Sequence, residues 1–115
     1  MSLIAVDAII TIADPSKRQE LIERTAPIQQ ATRDDEPGCL IYCFAADPCR
    51  DDIIQAYELW ESAEDLAAHL VHPNYFAMRA TLGEGGLVGA VANKHRIDKT
   101  APVYGPDHIA TATFE

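Results

Sequence analysis

One histidine, one acid and one arginine, set among aromatic residues, are the side chains best placed by type and spacing to do chemistry in this chain. His69 carries an imidazole that titrates near neutral pH and lies one turn before Pro73, where two helical patterns meet, which suits a general base. The same place suits a structural histidine that caps the neighbouring helix or bonds to backbone. Asp7 sits among Leu3, Ala5 and Ile9, and an acid there is costly to bury unless paired or protonated. It is either a second candidate base or the partner of Arg79, Lys94 or Arg96. Arg79 can hold a developing oxyanion or answer one of the many carboxylates. Trp60 belongs to a core or a pocket, and its indole N–H needs a partner wherever it is buried. Glu58 shares its strand face, so one of the two meets solvent or a cation on a partner chain. Tyr75 and Phe76 either wall a pocket mouth or pack their helix on a sheet. His72 and His95 have no company that would make a metal site.

The elements that position these residues must fit in 115 residues, enough for one domain. Hydrophobic residues make up 48%, so a core can form, while 18 acidic against 9 basic side chains leave a charge of −9. That sign argues against nucleic acid and against an anionic membrane surface. No apolar run approaches the roughly 20 residues of a membrane span. The apolar stretch Leu3 to Ile12 lacks a basic leader and contains Asp7, so it reads as a strand rather than a signal peptide. Cys39, Cys43 and Cys49 contain no Cys-x-x-Cys pair. The first two, four apart in a strand, stand about 13 Å from each other. Reduced thiols and a cytoplasmic location follow. The glycines from Gly83 to Gly89 lack the spacing of a dinucleotide fingerprint.

Leu3 to Thr11 is β-branched and apolar at nearly every position, as in a strand covered on both faces. Asp14-Pro15 opens a helix. Leu21, Thr25, Ile28 and Thr32 then mark one face of it to about Asp34, with a kink expected at Pro27. Pro37-Gly38 is a turn. Cys39 to Ala46 forms a second strand, with Cys39, Ile41 and Cys43 on one face and Leu40, Tyr42 and Phe44 on the other. The polar run Asp47 to Asp52 sends the chain back as a hairpin into Ile53 to Glu61. Ser62 and Asp65 cap a short helix that buries Leu66 and Leu70. Pro73 starts another to about Leu82, with Phe76, Arg79 and Ala80 at helical spacing and Gly83 as C-cap. Val91 to Ile97 is the last strand, and residues 99–115 form an extended tail. The order is that of an α+β, ferredoxin-like split βαβ sandwich over residues 1–98.

Helices in such a fold cover one sheet face, yet the first two strands are apolar on both. The same sheet from a second copy is the simplest cover, which predicts a homodimer packed sheet to sheet, with the tail free to cross to the partner.

Several short stretches carry a family likeness. Glu36-Pro37-Gly38-Cys39-Leu40, Tyr57-Glu58-Leu59-Trp60-Glu61-Ser62, Ala68-His69-Leu70 and His72-Pro73-Asn74-Tyr75-Phe76 together resemble the antibiotic biosynthesis monooxygenase (ABM) domain family over residues 3–98. The resemblance implies a dimeric α+β barrel with a cavity between helices and sheet in each protomer. It implies one of several chemistries: cofactor-free oxygenation of anthrones or quinols, haem degradation, or isomerisation of a phosphorylated signal molecule. The anthrone oxygenases' asparagine and tyrosine are Ala56 and Leu66 here, although their tryptophan and arginine correspond to Trp60 and Arg79. The haem-degrading members' asparagine, tryptophan and iron-ligating histidine are Asp7, His69 and Ala80. The quinol-oxidising branch resembles this chain most, through Trp60-Glu61-Ser62 and Ala68-His69-Leu70.

Cofactor-free oxygenation needs a substrate that can itself give electrons to O₂, an apolar pocket, a base, and donors for the developing anion. The expectation is a monooxygenase of small quinol- or phenol-like aromatics with no metal or organic cofactor. His69 or Asp7 would take the proton, and Trp60, Arg79, Tyr75 and Phe76 would hold the substrate. The alternatives are an isomerase working by proton transfer in the same pocket, and a non-catalytic dimer that binds a small molecule.

Overall fold

A computed structural model describes residues 2–115. Four strands, β1 (Leu3–Ile12), β2 (Cys39–Ala46), β3 (Ile53–Trp60) and β4 (Leu87–Ile97), form one antiparallel sheet in the order β2-β3-β1-β4. Three helices, α1 (Arg18–Asp35), α2 (Ala63–His69) and α3 (Pro73–Gly83), cover one face. This is the α+β ferredoxin-like fold that the element order predicts. Alternation sorts the side chains: Ile4, Ala8, Ile10 and Ile12 of β1 and Ile54, Ala56, Glu58 and Trp60 of β3 turn towards the helices and are buried. The opposite face carries Ile9, Ile41, Tyr57 and Val91, all substantially exposed.

Local chemistry sets the boundaries. Asp14 accepts the Ser16 N–H, and a single 3₁₀ turn, Pro15–Lys17, leads into α1. The helix runs on through Pro27 to Asp35 without a break. Two of its polar residues, the buried Gln29 and the exposed Arg33, hold the otherwise unpaired edge of β2. Gln29 bonds both the N–H and the carbonyl of Phe44, at 2.9 and 3.2 Å, and Arg33 Nε donates to the Tyr42 carbonyl at 2.7 Å. Arg18 does the same for the β2–β3 loop, donating to the carbonyls of Asp47, Arg50 and Ile53. Ser62 accepts from the Asp65 N–H and caps α2 as expected.

Four expectations shift. β2 has a register change at Leu40, which turns Cys39 to the helix side, opposite Trp60, instead of leaving it with Ile41 and Cys43. Trp60, not Glu61, ends β3. β4 begins at Leu87, because an edge strand needs only backbone pairing to β1 and its exposed residues give no burial signal. The end of α3 does not use Gly83 as the cap: the helix includes it, and Gly86 takes the positive φ of 74°. Gly38 (φ 81°) is required for two reasons, since its φ is left-handed and a Cβ there would strike the Asp65 carboxylate. Past β4 the chain is almost wholly exposed, with a bridge between Tyr104 and Ala110.

Candidate active site

Between the sheet and helices α2 and α3 lies a cleft of about 420 Å³. Its floor is a register row and its neighbours. Tyr42 pairs with Glu58, Glu58 with Val6, and Val6 with Lys94, so these four side chains cross the sheet on the helix side. Phe44, Ala8 and Ala92 line the next row, and Leu66, Tyr75, Met78 and Arg79 come down from the helices. The lining is largely apolar, with one carboxylate, Glu58, and two cations, Arg79 and Lys94.

Glu58 is the centre of the arrangement. Its side chain is 10% exposed, and Oε1 accepts the Trp60 indole N–H at 3.0 Å. The partner that Trp60 needs is therefore the acid two residues before it on the same strand face. Oε2 accepts no hydrogen bond among the described residues, yet no buried side-chain polar atom there lacks a partner, so Oε2 meets the open space of the cleft. Burial raises the Glu58 pKa above the ordinary 4.5, and the nearby Glu36 charge adds to this, while the Trp60 hydrogen bond and His69 act against it.

Behind Glu58 stands His69, whose side chain is 1% exposed. Its Nδ1 is 2.8 Å from Glu36 Oε1 and its Nε2 is 4.0 Å from Glu58 Oε1. A carboxylate only accepts, so an ionised Glu36 fixes the proton on Nδ1 and turns Nε2 towards Glu58. Glu36 reaches this place because the C-cap of α1 breaks into extended backbone just before the Pro37-Gly38 turn. Its other oxygen accepts from Asn74 at 3.1 Å, and His72 lies 3.7 Å away. The His69 ring is boxed by Trp60, Tyr42 and Tyr75 at centroid distances of 4.7, 5.3 and 5.6 Å. Burial also holds the Tyr42 phenol well above its ordinary range.

The structure brings together His69, Trp60, Tyr75 and Arg79, though not as one layer. Tyr75 and Arg79 line the cleft, with the guanidinium carbon 5.7 Å from the Tyr75 ring centroid. Trp60 and His69 form the wall behind it, each 1% exposed or less. His69 neither caps a helix nor bonds to backbone through its ring; capping falls to His72, whose Nδ1 accepts the Asn74 N–H. Phe76 stacks on Tyr75 but is 54% exposed and outside the cleft, because α3 turns Met78 and Leu82 inward instead. Asp7 is not in the group. It lies on the other face of the sheet, 2.7 Å from His95, with both side chains about half exposed. Its partner is thus His95, next but one along β4 from the residue opposite it, and not Arg79, Lys94 or Arg96. An odd position in β1 cannot reach a cleft that Val6, Ala8 and Ile10 face.

Sequence reasoning passed over the two carboxylates. Glu58 was legible as an acid between Ala56 and Trp60 on a helix-covered strand face. Glu36 had no signal beyond preceding Pro-Gly, since its burial depends on α2 and α3 closing over it. No three His, Cys, Asp or Glu side chains are placed to hold a metal ion among the described residues. No helix among them is long and apolar enough to cross a membrane.

An antiparallel sheet with three helices on one face and a carboxylate-bearing cleft beneath them makes up an α+β sandwich with one candidate site. The family is shown by its sequence model: residues 3–81 match that of the antibiotic biosynthesis monooxygenases, and the chain belongs to this family. Solved structures share the fold. A candidate antibiotic biosynthesis monooxygenase of Caulobacter crescentus superposes with a TM-score of 0.76 at 22% identity, over 85% of this chain and 92% of that one. A Mycobacterium tuberculosis protein gives 0.72 at 24% identity, over 88% of this chain and 100% of that one. SnoaB, a cofactor-independent oxygenase of Streptomyces nogalater solved as a mutant, gives 0.65 at 16% identity, over 89% and 99%. Likeness at these identities speaks for the fold alone. No curated protein matches the chain in sequence.

Proposed function

We propose that the protein is a cofactor-independent monooxygenase that oxidises a small quinol- or phenol-like aromatic with O₂. The observation that carries this reading is a carboxylate of raised pKa, Glu58, facing a largely apolar cleft and backed by His69 and Glu36. A raised pKa makes Glu58 a stronger base towards a phenolic proton than an exposed glutamate. The proton it takes can pass to His69 Nε2 once their 4.0 Å separation closes by about 1 Å. The imidazolium then formed faces Glu36. The substrate anion supplies the electrons: a ring carbon that bears a hydrogen forms a bond to O₂, the peroxide anion takes back the proton held by Glu58 and His69, and the hydroperoxide then loses that carbon's hydrogen and its outer oxygen as water, so one oxygen atom stays as a carbonyl. In this scheme the base in the cleft is Glu58, and His69 is a positioning residue behind it. The family supports oxygenation, and SnoaB shows that this fold can hold a cofactor-independent oxygenase.

Oxygen uptake by metal-free protein on a panel of hydroquinones and anthrones, corrected for autoxidation, tests the proposal. The expected result is uptake well above background. His69→Ala should lower it by about 10²-fold, because the proton taken by Glu58 then has no acceptor behind it. An unchanged rate in a folded His69→Ala variant would leave His69 a purely structural role. Product formed without O₂ would overturn the oxygenase reading in favour of isomerisation.

We also propose a homodimer through the open sheet face, where Ile9, Ile41, Tyr57 and Val91 are exposed around the Asp7–His95 pair. The tail, with Val103, Tyr104, Ile109 and Phe114 exposed, would cross to the partner. Light scattering should report a dimer for the wild type and a monomer for Ile9→Lys; a monomeric wild type would refute it. The free thiols of Cys39, Cys43 and Cys49 suit a reducing cytoplasm. Burial, chiefly, pushes the Cys39 thiol up to about 11, so it is not a nucleophile at neutral pH.

A further inference from the structure

We infer that the cleft selects an aromatic substrate carrying an anionic substituent, with Lys94 and Arg79 binding the anion while Glu58 faces the ionisable hydroxyl. This rests on the reading of the cleft as the substrate site and adds the class of substrate it takes.

The first observation is that two cations share one largely apolar cleft. The chain has twice as many acidic as basic side chains, so a cation has no shortage of carboxylates to pair with. Among the described residues Arg24 alone does so, with Glu84; Arg18 and Arg33 donate to backbone carbonyls, and Lys17, Arg50, Arg96 and Lys99, none of which lines the cleft, have no carboxylate oxygen within 4.0 Å either. Lys94 and Arg79 both line the cleft, and among the described residues neither has a carboxylate oxygen within 4.0 Å. Two unpaired cations converging on one cleft of a strongly acidic protein are a site for an anion.

The second observation is their placement relative to Glu58. Val6 is opposite Glu58 on one side and opposite Lys94 on the other. The carboxylate and the ammonium therefore start from backbones two strand spacings apart, roughly 10 Å, too far for their stems to meet without crossing the floor. Between them the floor is made by the small side chains of Val6, Ala8 and Ala92, with Met78 and Leu82 of α3 facing it. A planar ring fits this gap, and its two ends meet opposite charges. Arg79 enters from α3 with its guanidinium near the Tyr75 ring, so it approaches from above while Lys94 approaches from the sheet. A neutral quinol would satisfy Glu58 and leave both cations facing an apolar ring edge. A ring bearing a carboxylate or another anionic group satisfies both ends.

Binding measured with rings that do not react with O₂ tests this directly. Calorimetric titration should give 6-hydroxy-2-naphthoate, whose hydroxyl and carboxylate lie at opposite ends of the ring system, a Kd about 10- to 100-fold lower than 6-hydroxy-2-naphthamide, with the difference shrinking as salt is raised. Lys94→Met should remove most of the acid's advantage over the amide, and Lys94→Arg should restore it. The Lys94→Met and Arg79→Gln double variant should bind acid and amide alike. Equal affinity of the wild type for the two ligands would overturn the inference, as would an acid preference that survives in the double variant. The outcome is separate from that of the oxygenase reading. A clear acid preference without oxygen uptake on any acidic quinol would leave the anion site standing and remove the reaction. Uptake on neutral quinols without acid preference would do the reverse.

Discussion

Glu58→Gln is expected to lower turnover by about 10² to 10⁴-fold and, above the ordinary glutamate pKa, to make the protein more stable than the wild type. Both effects come from one cause. Burial raises the Glu58 pKa, so the folded chain holds a proton there that the unfolded chain has already released. Stability conferred by a raised acid is complete below the unfolded value of 4.5 and is lost as pH rises through the folded one. Wild-type stability should therefore fall across that window, and the glutamine variant should be flat where the wild type declines. Gln keeps an Oε1 for the Trp60 N–H, so the wall of the cleft stays in place. The activity of the wild type should run the opposite way, rising with pH through the same folded pKa as the base ionises. Denaturant midpoints at pH 4 and pH 8, beside the turnover profile, test this. A glutamine variant with wild-type turnover would remove Glu58 as the base. A variant less stable than the wild type at pH 8 would show that the carboxylate contributes more than its burial costs.

Trp60→Ala should cost about 3 to 5 kcal/mol of folding stability, a large part of the roughly 5 to 15 kcal/mol of a typical domain. Trp60 is fully buried, packs on His69 and Tyr42, and is opposite both Ile4 and Cys39 in the sheet. Its removal leaves a cavity at the junction of sheet, α2 and the His69 box, where rigid rings cannot collapse inward. The milder Trp60→Phe keeps a ring and deletes the N–H. Because that hydrogen bond lowers the Glu58 pKa, the acid limb of activity should move upward in the phenylalanine variant. Urea unfolding of Trp60→Ala and the pH profile of Trp60→Phe read the two roles separately. A loss below 1 kcal/mol would mean that the wall repacks, and an unmoved limb would mean that the indole does not tune the acid.

Much of the architecture could be read from local chemistry. The β-branched run of β1, Asp14-Pro15, the Ser62 cap with Asp65, Pro37-Gly38 and Pro73 each act within a few residues, and the elements follow from them. The edges of β4 could not be read this way, because its pairing to β1 is backbone to backbone and its side chains are nearly all exposed. Strand alternation also separated the two sheet faces, but not which acid belonged to which chemistry. Asp7 stands out in an apolar run, yet an odd register position sends it to the face away from the helices, against His95. Glu58 is unremarkable in sequence, yet its even position puts it under them.

By itself the sequence determined the order of elements, since periodicity and capping are short-range properties, and its resemblance to a family implied that His69, Trp60, Tyr75 and Arg79 share one region. The tertiary structure alone decided that Glu36 and Glu58 flank His69, that Lys94 shares a floor with Glu58, and that Asp7 and Phe76 stand outside the cleft. Glu36 and His69 are 33 residues apart, and no local pattern can report that two polar groups will lose their water together. That happens only when helices close over a sheet, and from that shared desolvation the raised pKa of Glu58 follows.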